Sequence, residues 1–137
     1  MNIDERHNLR HPLTGLGGVF YPRDYVLGAF AEPAAAAAAR DDLLAGGYDE
    51  TEVEALNPER FVREAEDIVE QSNSLLAGAG AENKVTLAYE KHAEDGHGLL
   101  IAYAPSATET DRAMRVFRRH GVLDAHKYHR FAIEALI

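Results

Sequence analysis

Cysteine is absent from all 137 residues. Its absence removes disulfide frameworks, thiolate-held zinc, iron–sulfur clusters and thiol nucleophiles. Also missing is any apolar run near the roughly 20 residues that a membrane span needs; the longest candidates are interrupted by Gly, Glu or Pro. No membrane partner is expected. The opening Met1-Asn-Ile-Asp-Glu-Arg-His-Asn8 is charged and lacks the basic-then-apolar order of a secretory signal, so the expected compartment is the cytoplasm. Positive charge is scarce, with 14 Lys and Arg against 23 Asp and Glu and a formal net charge of −9. Such a field repels phosphate backbones, and no nucleic acid partner is expected. The familiar catalytic signatures are missing too. Gly15-Leu-Gly-Gly18 has no preceding strand to make it a phosphate loop, no Gly-x-Ser-x-Gly elbow occurs, and the histidines do not fall in an HExxH spacing. No catalytic residue, metal ligand or cofactor is therefore assigned, and an enzyme is the less favoured class.

What the chain does contain is a repetition. Tyr25 to Ala31 is a continuous apolar run followed by Pro33, the alanine run Ala34–Ala39, Leu43-Leu44 and Gly47-Tyr48. Leu99 to Ala104 is a second such run, followed by Ser106, a helical pattern through Phe117, and Gly121-Val122. Phe30 stands as far from Tyr103 as Leu44 does from Phe117, and the step from Gly47 to Gly121 is one residue longer. Strands apolar on both faces belong in the centre of a sheet. Pro33 suits a first helical turn, Ser106-Ala-Thr-Glu109 reads as a capping box, and each Gly-hydrophobic pair reads as a helix stop. A short edge strand is expected within Thr51–Leu56 and a last strand within Leu123–Phe131, with Ala132–Ile137 either extending it or forming a helical turn.

Between the halves, Asn57-Pro58 starts a helix expected to reach about Leu76. Val85, Ala88, Tyr89 and His92 then recur at helical spacing, which predicts a second inserted helix over about 82–95, with a strand over Val85–Tyr89 as the alternative. The resulting expectation is an N-terminal arm over 1–24 and one α+β domain over 25–137. It is a ferredoxin-like α/β sandwich with a four-stranded antiparallel sheet in the order 4-1-3-2, built from a first βαβ half (25–56), a helical insert (57–96) and a second βαβ half (97–137).

Val26-Leu-Gly-Ala-Phe30, the alanine-rich helix, Gly47-Tyr48, Val53-Glu-Ala-Leu56, Gly98-Leu-Leu-Ile-Ala102 and Arg118-Arg-His-Gly121 together resemble the small bacterial general-stress-protein type of ferredoxin-like domain, over about residues 25–56 and 97–131. The resemblance implies a scaffold and a stress-associated or regulatory role. In some members a glycine-rich apolar segment between the halves suggests membrane association; here polar, amphipathic helices stand in its place.

Three groups of side chains are candidates for chemistry. Asp124, His126, Tyr128 and Arg130 alternate onto one strand face, where His126, Tyr128 and Arg130 could contact a polar or anionic ligand, while His126 and His129 point to opposite faces and cannot share a metal ion. His92, His97 and His120 could meet only through tertiary structure. Arg112, Arg115, Arg118 and Arg119, with Lys127 and Arg130 after them, read as the solvated face of a helix and its surroundings. A four-stranded sheet with its helices on one side leaves the other side bare. It needs a partner subunit, the arm or the inserted helices to cover it. The expected function is a non-enzymatic module that self-associates through that face, as a homo-oligomer. The alternatives are a small-molecule or haem-binding protein or enzyme using the open face, and a higher-order assembly formed through the arm.

Overall fold

The computed structural model of the protein describes residues 22–59, 61–63, 81–130 and 132–137, with the backbone alone for 81–83. It is an α+β fold: β1 (Tyr25–Phe30), α1 (Pro33–Ala45), β2 (Val53–Leu56), α2 (Ala81–Glu94), β3 (Gly98–Tyr103), α3 (Ala107–Arg119), β4 (Asp124–Tyr128) and β5 (Ile133–Ala135). The strands form one antiparallel sheet in the order β2-β3-β1-β4-β5. The expected arm over 1–24 and most of the expected helix to Leu76 lie outside the described residues; Pro58, Glu59 and 61–63 are helical.

Helix boundaries follow local chemistry. Pro33 opens α1 at a position whose N–H has no partner in any case. The Ser106 hydroxyl accepts the Glu109 N–H at 3.1 Å at the start of α3. α1, α2 and α3 stop the same way: Gly47, Gly96 and Gly121 take positive φ (108°, 82° and 74°). The next residue's N–H then reaches back to Leu43, His92 and Phe117 at 3.1, 3.0 and 3.1 Å. The expectation of a helix over 82–95 holds, and the alternative strand over Val85–Tyr89 does not form.

β1 and β3 are buried along their whole length, as the apolar runs require. On one face, Val26, Phe30, Leu100, Ala102 and Ala125 pack under α1 and α3, with Leu43 and Phe117 as the large helix contributions. On the other, Tyr25, Leu27, Leu99, Ile101, Tyr103 and Tyr128 pack under Tyr89 and Ala93 of α2 and under Phe61. Each fully buried Leu, Ile or Phe contributes roughly 1.5–3 kcal/mol by leaving water.

One expectation is corrected. The sheet has five strands rather than four. Read from the β4 side, the first four keep the neighbour order 4-1-3-2, and β5 is added beyond them. The tail turns back after β4, with the His129 N–H bonded to the Ala132 carbonyl at 2.8 Å, and pairs His126 with Ala135 and Tyr128 with Ile133. An unpaired β4 would expose a row of donors and acceptors, and the tail satisfies them. Of the three covers expected for the other face, an inserted helix is seen there: α2 and Phe61 lie over it, because Tyr89, Ala93 and Val85 form the apolar stripe that the helical spacing indicated. Tyr25, Leu27 and Tyr103 are accordingly buried.

Candidate functional site

The polar side chains gather in the seam between α2 and the sheet. Tyr89 and His92 lie three residues apart on the sheet-facing side of α2, and Asp124 and His126 lie two apart on one face of β4. Three helical residues advance about 4.5 Å and two strand residues about 6.6 Å, so both pairs come within reach when the elements run side by side. Tyr89 Oη lies 2.8 Å from His126 Nδ1 and 3.2 Å from the Leu27 carbonyl. One turn on, His92 Nε2 lies 3.3 Å from Asp124 Oδ2. His97, in the turn that joins α2 to β3, places its Nδ1 2.8 Å from His92 Nδ1. Asp124 Oδ1 is also 3.7 Å from His126 Nδ1. The result is one chain of groups, His97–His92–Asp124–His126–Tyr89, that ends on a backbone carbonyl of the central strand.

The seam is shallow at one end and deep at the other. The side chains of Asp124, His92 and His126 are 28%, 21% and 15% exposed, while Tyr89 is fully buried. Burial, with the Asp124 carboxylate and Tyr128 adding to it, pushes the Tyr89 phenol well above its ordinary range, so it stays a proton donor. Burial also holds His126 below the ordinary histidine value; the Asp124 carboxylate opposes this and His92 reinforces it. The groups facing the histidines are Tyr89 from α2, Asp124 from β4 and the two other seam histidines.

The His92–His97 contact has a chemical consequence. Two Nδ1 atoms at 2.8 Å share one proton, one ring donating and the other accepting. The Tyr89–His126 bond depends on protonation: neutral Nδ1 accepts the phenol proton, and once protonated it turns the phenol toward the Leu27 carbonyl.

The sequence candidates are divided by the fold. His126 is in the seam, with Asp124. Tyr128, expected beside it on a ligand-facing stripe, is 0% exposed within the core. Arg130 lies past the end of β4 and is exposed. α2 covers the strand face on which His126 and Tyr128 lie. His92 and His97 do meet, but His120 is on the opposite side of the sheet, with its Nε2 3.0 Å from Asp42 Oδ2. Arg119 joins the same carboxylate at 2.8 Å, and the His120 hydrogen bond leads in holding Asp42 below its ordinary range. His129 pairs with Glu134 at 2.9 Å.

The arginines of α3 are not simply solvated. Arg112 donates to the Gly46 carbonyl and lies 4.9 Å over the Tyr48 ring, and Arg118 reaches the Leu136 carbonyl at 3.5 Å. Lys127, expected in that basic surface, is 3% exposed; its ammonium donates to the Ala104 carbonyl and, at 2.7 Å, to Thr110 Oγ1. Tyr89 is the seam residue that sequence reasoning passed over, having read it as apolar helix face. Its signal was the Tyr89-x-x-His92 pair on a buried face, which matters only once Asp124 and His126 are placed opposite.

Among the described residues, no group of three or more His, Asp or Glu side chains is arranged to hold a metal ion. None of their helices is long and apolar enough to cross a membrane. No family model, curated protein or solved structure matches the chain.

Proposed function

We propose that this chain is a non-enzymatic, proton-responsive regulatory module of ferredoxin-like architecture, akin to the small bacterial general-stress type and resident in the cytoplasm. The neighbour order of the first four strands and the two helices packed on one face support the architecture. The observation that carries the function is the 2.8 Å contact between Tyr89 Oη and His126 Nδ1, a nitrogen that accepts the phenol proton only while its ring is neutral. The links made by Tyr89, His92 and His97 join α2 and its exit turn to the sheet or to each other, so protonation acts on the attachment of one helix. Release of α2 bares Tyr25, Leu27, Ile101 and Tyr103, the apolar surface through which a second copy associates.

Amide hydrogen exchange tests this. Between about pH 7 and about pH 5.5 the α2 amides are expected to lose about tenfold or more in protection, after correction for intrinsic exchange, while α1 on the opposite face changes little. Light scattering over the same range should report a rise in mass. In a His97→Gln, His126→Gln variant both responses should largely disappear. Equal behaviour of α1 and α2, or an unaltered response in the variant, refutes the reading.

A further inference from the structure

The alanine run of α1 has a consequence at the far edge of the sheet. Among the described residues, β2 pairs with β3 alone, so its outer side presents unpaired backbone groups. Alongside that edge, between α1 and β2, lies a cleft of about 760 Å³. Its depth comes from small side chains. Ala36 and Ala39 are the alanines of α1 that face the sheet, whereas Ala37 is exposed at the cleft, opposite the exposed Ala55 and the buried Val53 of β2. One-carbon side chains on both walls leave a hollow where larger residues would close it.

Charge narrows what could fill the hollow. Asp41, Glu50 and Glu54 line the cleft against a single cation, Arg40. None of the four has a hydrogen bond or ion pair with another described residue. The other polar groups nearby are committed: Asp49 and Glu52 cap the short turn at Glu50–Glu52, and Asp42 holds Arg119 and His120. The cleft therefore has an excess of unspent negative charge beside a free strand edge. A second copy of this chain is a poor occupant, because β2 against β2 brings the Glu54 carboxylates together and adds to a net charge of −9 on each molecule.

We infer that the β2 edge and the α1 cleft form a docking site for an extended segment of a partner protein, in which a small apolar residue is flanked by Lys or Arg. The segment adds a sixth strand about 4.8 Å from β2 and pairs with its free N–H and C=O groups. Every second side chain then stands over the cleft. The apolar one enters the hollow between Ala37 and Ala55, and the basic residues two positions away on the same face meet Asp41 and Glu50. This inference is independent of the histidine seam, which lies beyond β3 and β1 on the other face.

The test is an NMR titration of the full chain near neutral pH with two synthetic peptides, acetyl-Lys-Thr-Val-Thr-Lys-amide and acetyl-Glu-Thr-Val-Thr-Glu-amide. The basic peptide should shift the amides of Val53–Leu56 and Ala37 and bind about tenfold or more tightly than the acidic one. The double variant Asp41→Lys, Glu50→Lys should reverse that preference. Ala37→Leu, at an exposed helix position that tolerates leucine, should weaken the basic peptide about tenfold without altering the rest of the spectrum. Equal binding of the two peptides, shifts located elsewhere, or unchanged binding by Ala37→Leu would overturn the inference. So would β2 shifts that grow with protein concentration when no peptide is present, since they identify a second copy as the occupant.

Discussion

The two faces of the sheet are covered by different means. Beneath α1 and α3 the contacts are apolar and the fit is tight: a Cβ on Gly28 would come within 2.6 Å of the Phe117 ring, and one on Gly98 within 2.7 Å of the Glu32 carbonyl and Pro33 Cα. The polar groups there bind the helices at their ends and outer surface, through Asp42 with Arg119 and His120, and through Lys127 with Thr110. Beneath α2 the core is just as apolar under Tyr89 and Ala93, but the C-terminal half of the helix is joined to the sheet through three histidines, a carboxylate and a phenol. On the proposed reading, one sheet thus holds α1 and α3 by contacts that are mostly apolar and α2 by contacts that respond to protons.

The difference is best broken from the apolar side first. Phe117→Ala removes a fully buried ring that packs edge-on against Phe30 with ring centres 5.4 Å apart. It should cost about 3–5 kcal/mol by chemical denaturation, the largest single effect here, with little change in its dependence on pH. Tyr89→Phe tests the seam. It keeps the ring and removes the hydroxyl that bridges His126 and the Leu27 carbonyl, so the expected loss is smaller, about 1–2 kcal/mol. That loss should appear chiefly as faster exchange of α2 amides rather than as global unfolding.

The smallest effect sharpens the comparison most. His126 is held below the ordinary histidine value of about 6.5. The unfolded chain therefore takes up this proton first, and stability, level above about 6.5, falls as pH drops below it. The fall ends once folded His126 is protonated as well. Denaturation midpoints of the wild type and His126→Gln, compared at about pH 7 and about pH 5, should show the wild type losing more of its stability toward pH 5 than the variant does. The Asp42 carboxylate on the other face works in a separate window. Being lowered, it loses its contribution only as pH falls through and below the ordinary carboxylate range. A His126→Gln variant that retains the wild-type decline between pH 7 and 5 would remove His126 from the seam's response.

Local pattern carried much of the architecture. The doubly apolar runs placed β1 and β3 at the sheet centre, Pro33 and Ser106 opened α1 and α3, and the repeated Gly-hydrophobic pairs ended them, because each of these signals is read within a few residues. The spacing of Val85, Ala88, Tyr89 and His92 likewise sufficed for α2. What the pattern could not supply was the partner of each face. Ile133 to Ala135 is too short and too mixed to announce a strand, and becomes one because β4 offers an edge to pair with. Tyr128 and Arg130 share a strand face with His126 on paper, yet one is sealed in the core and the other lies beyond the strand's end.

Periodicity states which side of an element a residue occupies, and it is silent on which element comes to lie there. The seam is the clearest case. Tyr89 and His92 are set on one face of a helix by the 3.6-residue turn, and Asp124 and His126 on one face of a strand by the two-residue pleat. That the two faces meet, with His97 completing the chain of contacts, depends on where α2 lies across β1 and β4. That placement is fixed by the burial of Tyr89 and Ala93 against side chains contributed by four separate strands, an arrangement no local stretch of sequence contains.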